Sequence, residues 1–411
     1  MARFFSLVPE AAAIAIFGIT YLVVAIGRLP GFRLDRAGAA LVGASLMVAV
    51  GGLPLEEAPK AIDFDTIILL LGVMIVVANL RLSGFFHLVN GWVVTRARCP
   101  IVLLAAIVLV SGILSAFLVN DTVCLVLTPL VLDLVTRLRR NPAPYLLAIA
   151  MASNVGSTAT ITGNPQNMII GSLSHIPYST FAAALSSIAG IGLVLTMGLI
   201  ALVYRSEFWT REQLRGESEP AHTDWPIMVK SVAVSLAMIA GFFAGIPPAE
   251  AAIVAGAVLL LTTRIKSEKV YAEIDWTLLL MFAGLFIVVA GLEHRVLSPE
   301  VVGAVGRQHF GRVPVLSVIT AILSNIVSNV PAVLVLKPFI AQLQFQQAWL
   351  TVAMASTLAG NFTLVGSVAN LIVVQRASAQ NIEIGFWEYF KVGAPLTVLT
   401  IGIGVLWLEI A

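Results

Sequence analysis

The sequence predicts an all-α membrane protein made of two inverted repeats of five transmembrane helices, each repeat with a re-entrant helical hairpin and a broken helix. Three observations lead there. Of 411 residues, 59% are hydrophobic and only 11% are charged, whereas a water-facing surface calls for about 25%. Segments of the two halves match one another in the same order. The polar residues that break the apolar runs also fall at corresponding places in both halves.

At roughly 20 apolar residues per crossing, the chain has room for about ten spans and some shorter re-entrant pieces. The apolar runs are 9–27, 37–54 and 65–80, a paired run 100–137, then 143–173 and 179–204. No small-residue cleavage site follows the first run, so it reads as a retained span and not a secretory signal. Residues 205–226, with Glu207, Arg211, Glu212, Arg215, Glu217, Glu219 and Asp224, are the one substantial hydrophilic linker. The second half runs 227–244, 249–263, 276–292, a paired run 313–342, 348–376 and 391–410. Residues 1–204 are thus read as the first repeat (hairpin 100–137, broken helix 143–173) and 227–411 as the second (hairpin 313–342, broken helix 348–376). The linker 205–226 is expected in the cytoplasm.

The duplication is visible residue by residue. Ile75-Val76-Val77-Ala78-Asn79-Leu80 matches Ile287-Val288-Val289-Ala290-Gly291-Leu292, and at that offset Asp63 falls on Asp275 and Gly72 on Gly284. Asn120 with Leu125-Val126-Leu127-Thr128-Pro129 matches Asn329 with Leu334-Val335-Leu336-Lys337-Pro338. Met151-Ala152-Ser153 matches Met354-Ala355-Ser356, and Thr160, Gly163 and Asn167 then fall on Thr363, Gly366 and Asn370. An odd number of spans per repeat makes the second inverted relative to the first. Positive charge sets the direction. Arg28/Arg33/Arg36, Arg96/Arg98, Arg137/Arg139/Arg140, Arg205/Arg211/Arg215 and Arg264/Lys266/Lys269 share one side if both termini are extracytoplasmic, as in a multi-pass protein of a bacterial-type inner membrane. Arg295, Arg307 and Arg312 are the exceptions.

Unsatisfied backbone in lipid costs several kcal/mol per group, so polar breaks survive only inside protein or beside a water-filled cavity. There are four. Ser115–Thr122 sits midway along 100–137, and its mate Ser324–Pro331 sits midway along 313–342. Each makes a hairpin tip, with Ser and Asn as candidate caps for a second arm whose positive end faces the site. Asn154–Asn167 holds Gly163-Asn164-Pro165, a helix stop, cap and restart; its mate is Gly360–Asn370. Discontinuous helices in corresponding halves point to a binding site at the bilayer midplane: helix N-termini suit an anion, and freed carbonyls with Ser, Thr and Asn oxygens suit a small hard cation such as Na⁺.

Single charges are weighed separately. Asp121 stands at a tip at bilayer depth, where a carboxylate is costly and usually functional; its counterpart is the neutral Val330. It is read as a proton- or cation-coupling group, with helix capping as the alternative. Lys337 lies eight residues beyond Asn329, about 12 Å along a helix, where it either attracts an anion or snorkels outward, and it stays outside the candidate site. Asp63 and Asp275 are expected to cap equivalent helices, and Asp133 to pair with Arg137. The five histidines have no ligand spacing. Cys99 and Cys124 suggest neither a disulfide nor a metal centre, and no nucleophile–base pair points to an enzyme. A net charge of +2 gives no reason to expect nucleic acid.

Asn120-Asp121-Thr122 with Leu127-Thr128-Pro129, the segment Gly163-Asn164-Pro165-Gln166-Asn167, and Ser328-Asn329-Val330-Pro331 resemble the ion transporter superfamily. That group joins arsenite-efflux permeases, citrate–metal carriers, divalent anion/sodium symporters and one class of Na⁺/H⁺ antiporter. The Asn-Asp pair before Leu-Thr-Pro is most similar to the arsenite-efflux and related anion-permease branch. The tips differ from the Ser-Asn-Thr of the sodium/carboxylate branch, and the helix break differs from its Gly-Thr-Pro-Pro-Asn-like run. The resemblance implies a secondary active transporter moving a small anion or oxyacid by alternating access, coupled to H⁺ or Na⁺, with a Na⁺/H⁺ antiporter as the alternative. It implies one cation site at Ser115, Asn120 and the Gly163 region, with Asp121 as a coupling carboxylate, and a second at Ser324, Asn329 and the Gly366 region. Substrate is expected at Asn120, Asp121, Thr122, Asn164, Asn167, Ser328, Asn329, Thr363, Ser367 and Asn370. No cofactor is expected beyond the coupling Na⁺ or H⁺. The expected surroundings are the lipid bilayer and the small-ion substrate, with a homodimer compatible.

Overall fold

The computed structural model describes residues 2–27, 34–210, 214, 224–262, 264–296, 311–343 and 345–410, with side chains from residue 10 onward. Twenty α-helices and no strands occur among the described residues. They are α1 (Ala2–Ile26), α2 (Arg36–Ala49), α3 (Ala58–Ala61), α4 (Phe64–Leu82), α5 (Phe85–Arg96), α6 (Pro100–Phe117), α7 (Asn120–Arg137), α8 (Pro142–Ser157), α9 (Pro165–Ser174), α10 (Tyr178–Val203) and α11 (Arg205–Phe208). There follow α12 (Trp225–Phe243), α13 (Pro248–Leu260), α14 (Ser267–Tyr271), α15 (Trp276–Arg295), α16 (Val313–Val327), α17 (Asn329–Ala341), α18 (Gln346–Ala359), α19 (Val368–Ser378) and α20 (Phe386–Ile410). Six helices, α4, α6, α10, α12, α15 and α20, are long and apolar enough to cross a membrane; α2, α13, α16, α17 and residues 10–26 of α1 are shorter apolar helices. Ile113, Val194, Leu236 and Leu406, each more than half exposed, show the same thing from the outside: large apolar side chains face outward, as suits a lipid solvent.

Helix starts follow the local sequence. Asp63 and Asp275 accept from the backbone N–H of Thr66 and Leu278, at 3.4 and 3.0 Å, as expected of repeat-related caps. Asp133 pairs with Arg137 at 3.0 Å. Missing from the apolar pattern was α5, a short helix lying between α4 and the first hairpin. It carries His87, Trp92 and Arg96 on an exposed face, so its composition is too polar to register as a span.

Packing follows the duplication. α4 packs on α13 as α2 packs on α15, and α6 on α8 as α16 on α18. The first pair of crossings is equally close. A Cβ on Gly72 would come within 2.5 Å of the Ala252 carbonyl carbon, and one on Gly284 within 2.7 Å of that of Ala40. Small residues let backbones approach, which is the main source of helix association where lipid removes the hydrophobic drive. Helices α1–α4 and α12–α15 thus form one interlocked bundle, against which the hairpins α6/α7 and α16/α17 and the broken helices α8/α9 and α18/α19 are set.

Candidate functional site

Both hairpins reverse at residues held at positive φ. Val119 (φ 61°) precedes α7, and its counterpart Ser328 (φ 74°, ψ 162°) precedes α17. A β-branched residue there is an outlier, and the Ser328 conformation is one that almost only glycine adopts, costing about 1–3 kcal/mol. The second arms do begin at the tips. The expected side-chain caps, however, are not formed at either start. Capping needs an extended N-cap residue whose side chain folds back on the first turn, and positive φ turns it away. The free N–H groups and positive ends of α7 and α17 are left directed at the space between the tips.

That space is a pocket between the two tips. Asn120 and Asp121 line it from one tip, Ser328 and Asn329 from the other, and Gln166 and Ser367 from the restarted helices α9 and α19. The opposite wall comes from the interlocked bundle: Val24, Arg36, Leu278, Met281 and Phe282. The side-chain oxygens of Asn120 and Asn329 and the hydroxyl of Ser324 are buried and have no hydrogen-bond partner among the described residues.

Behind the pocket a buried amide network joins the halves. Asn154 on α8 accepts from Asn120 Nδ2 at 3.1 Å and from the Ser367 hydroxyl at 3.1 Å, and donates to Asn361 Oδ1 at 2.9 Å and Asn370 Oδ1 at 3.0 Å. Its counterpart on α18, Thr357, accepts from Asn164 Nδ2 at 3.0 Å and donates to Asn167 Oδ1 at 3.4 Å. Each repeat therefore reaches across to the cap and the amide of the other's restarted helix. Asn167 Nδ2 donates to the carbonyls of Ser157 and Thr160, and Asn370 Nδ2 to those of Gly360 and Thr363, the same bonds in both halves.

Of the residues read as substrate-binding, Asn120, Asp121, Ser328, Asn329 and Ser367 line this one pocket. Thr122, Asn164, Asn167, Thr363 and Asn370 do not. Asn164 caps α9 through the Asn167 N–H at 2.9 Å, Thr363 donates to Asn325 at 3.3 Å, and Asn167 and Asn370 staple the broken helices, so their polar atoms are taken up in holding the breaks open. Ser115 shares a 2.7 Å hydrogen bond with Ser153. Gly163 is packed so tightly on the Ser157 backbone that a Cβ would overlap it, and a Cβ on Gly366 would come within 3.0 Å of Asn325 Oδ1. Lys337 resolves its two alternatives otherwise: it pairs with Glu293 on α15 at 3.5 Å.

Several residues were not singled out from sequence. Asn154, Asn361 and Gln166 stand inside the recognised breaks, where one amide among many gives no sign of its partner. Thr357 is legible only as the counterpart of Asn154. Arg36 looked like one more orienting charge beside Arg28 and Arg33, because nothing local tells a loop arginine from one turned into the protein.

Residues 21–359 match the family described as CitMHS, citrate transporter. Over its whole length the chain is similar to a 46 kDa membrane protein of Mycobacterium leprae, 29% identical with 97% of this chain and 98% of the relative covered. It is also similar to the silicon efflux transporter LSI3 of rice, 27% identical with 95% of each covered. Among solved structures, the YdaH transporter of Alcanivorax borkumensis shares the fold, with a TM-score of 0.61 over 98% of this chain and 97% of that one at 15% identity.

Proposed function

Since the chain belongs to the citrate transporter family and is a membrane transporter, we propose that it carries a small anion or a neutral oxyacid across the inner membrane by alternating access, coupled to H⁺ or Na⁺. One observation carries this reading: two uncapped, strained helix starts, at Asn120 and Asn329, meet in a single pocket that also holds Arg36 and Asp121. Helix N-termini and a guanidinium attract negative oxygen, while asparagine amides serve hydroxyls and carboxylates alike. The family description speaks for an anion. The relative named for silicon efflux speaks for an oxyacid, since dissolved silicon is the neutral acid Si(OH)₄.

The buried oxygens of Asn120, Ser324 and Asn329, each costing about 1–3 kcal/mol while unpaired, support a cation role at the tips, and Asp121 offers a place for a proton. The Arg36 end of α2 and the start of α15 wall the pocket; with those ends on the cytoplasmic side, as the distribution of positive charge leads us to expect, this is an inward-facing state. Transport moves the hairpins and broken helices against the interlocked bundle.

Proteoliposomes loaded with citrate, arsenite or silicic acid test this under imposed pH and Na⁺ gradients. Gradient-driven flux of at least one is expected, lost in Asn120→Ala and Asn329→Ala. The pocket-facing Asp121 favours one second reading, Na⁺/H⁺ antiport: proton flux on adding Na⁺, with none of the three carried, would select it and overturn the first.

A further inference from the structure

The duplication leaves two grooves on the outside of the molecule, each between the first arm of a hairpin and the last helix of the same repeat. The groove between α6 and α10 is lined by Ile101, Gly198, Ala201 and Leu202 and bounded at one end by Trp209. Its mate between α16 and α20 is lined by Val318, Ile322, Gly402 and Leu406, among others. Leu202 and Leu406, 50% and 62% exposed, place both on the face turned to lipid. A Cβ on Gly198 or Gly402 would meet nothing within 4 Å, so in each case a missing side chain helps to keep the slot open.

The two grooves differ in the charge at their ends. Arg98 stands three residues before Ile101 and Arg205 three residues after Leu202; both are exposed, at the end that Trp209 bounds. The acids nearby are engaged: Glu207 accepts from Arg140 at 2.7 Å and from Tyr145 at 3.0 Å, and Glu388 accepts from Tyr204 at 2.9 Å. The Glu207 contacts pin α11, and Phe208 is buried edge-on to Tyr145 with ring centroids 5.5 Å apart. The next residue, Trp209, is left 76% exposed at the groove. On α5, which packs on α6, Arg96 lies over the Trp92 ring, 4.7 Å from its centroid. The mate groove has Arg312 just before α16 but Glu409 in the last turn of α20, both exposed, so its end charges cancel. The fold builds the groove twice and makes one of them positive.

We propose that the groove between α6 and α10 is a binding site for one phospholipid with an anionic headgroup. One acyl chain lies in the slot at Gly198 and Ala201, the Trp209 indole sits at headgroup level, and Arg98 and Arg205 hold the phosphate. An acyl chain gains little by leaving bulk lipid for an apolar groove, because lipid tails are as apolar as its lining. Selective binding must therefore come from the headgroup. Each arginine at a membrane surface is worth about fivefold in affinity for an anionic lipid, and a guanidinium fork matches two phosphate oxygens. Tryptophan concentrates at membrane–water interfaces, where one end of the ring is apolar and the other wet. The positive groove lies on the side that the charge distribution assigns to the cytoplasm, where anionic lipids give the leaflet its negative potential.

The test titrates the full chain in detergent with dioleoyl phosphatidylglycerol, dioleoyl phosphatidylcholine or inorganic phosphate and reads the first bound molecule by native mass spectrometry. Phosphatidylglycerol is expected to bind roughly tenfold or more tightly than phosphatidylcholine, and inorganic phosphate not at all. Arg98→Gln and Arg205→Gln are each expected to lower that preference about fivefold. Gly198→Phe, whose ring enters open space, is expected to remove the tight site for both lipids at an unchanged thermal midpoint. Gly402→Phe, which fills the mate groove, is expected to leave the tight site intact. Should Gly198→Phe fold poorly, the arginine variants, both at exposed positions, decide alone. Equal affinity for the two lipids, binding of phosphate by itself, or unchanged phosphatidylglycerol binding in Gly198→Phe overturns the proposal. So does a dimer that dissociates in Gly198→Phe with lipid binding unchanged, which would give the groove to a second copy of the chain. None of these residues lines the pocket between the tips, so the proposed transport function stands or falls separately.

Discussion

Asn154 bears more of this architecture than any charged residue. Its amide holds the first tip through Asn120, the second broken helix through Ser367 and Asn370, and the turn at Asn361. Replacing it with alanine strands buried partners at about 1–3 kcal/mol apiece. Asn154→Ala is therefore expected to lower the thermal midpoint in detergent by several degrees and to abolish transport, and Thr357→Ala to do the same more weakly, since one hydroxyl serves there. A scanning-fluorimetry series with a flux assay checks the order; equal stability for Asn154→Ala and wild type would contradict it. Ser328 makes the opposite case. It is half-buried and its φ of 74° is one glycine tolerates, so Ser328→Gly is expected to raise the thermal midpoint, by roughly 1 kcal/mol of relieved strain, while slowing transport because the tip is no longer held in one shape. A variant that is both less stable and fully active would count against strain at this tip.

Among the elements, those set by spacing and turn chemistry were legible and those set by contact were not. The hairpins, the helix breaks and the Asp63 and Asp275 caps follow from residues a few positions apart, and the structure has them. The cap anticipated at Ser328 fails because its backbone dihedrals turn the side chain away, and the one at Asn120 because that residue is already the first of α7 and the cap position falls to Val119, which has no polar side chain. Asn164, Asn167 and Asn370 hold the helix breaks through their amides, which their sequence did not announce: an asparagine reads alike whether it faces a cavity or a carbonyl, and only the fold decides. The duplication was legible because it left matched residues, glycines among them. Gly72 and Gly284 occupy equivalent crossings, α4 on α13 and α15 on α2, with near-identical clearance to backbone atoms of Ala252 and Ala40. Backbone cannot yield as a flexible side chain can, so Gly72→Ala and Gly284→Ala are expected to destabilise the protein by similar amounts, more than Gly190→Ala, which meets open space on α10. Thermal midpoints of the three decide it, and a large difference between the first two would argue against equivalent crossings.

Taken as a whole, the molecule ties its two bodies together unequally. The second hairpin is anchored to the interlocked bundle by the Lys337–Glu293 pair, 3.5 Å between α17 and α15. At the matching place in the first repeat stands Thr128, whose hydroxyl is turned onto the Cys124 carbonyl of its own helix at 2.6 Å. The matching position in the first hairpin, which carries Asp121, is thus not a charged clasp. If transport moves the hairpins against the bundle, the Lys337–Glu293 pair must open during the cycle, because its members belong to different bodies. A pair that is about a quarter exposed contributes little to stability, so its weight falls on the balance between states. Lys337→Met is expected to leave the thermal midpoint nearly unchanged while altering the transport rate. Fixing the clasp should arrest transport: with Cys99 and Cys124 replaced by serine, Lys337→Cys together with Glu293→Cys, bridged by a short bifunctional thiol reagent, is expected to lose flux and to recover it if a reducible bridge is cleaved. Undiminished flux in the verified cross-linked protein would mean that α17 and α15 travel together, and the dividing line between moving and fixed parts would have to be drawn elsewhere.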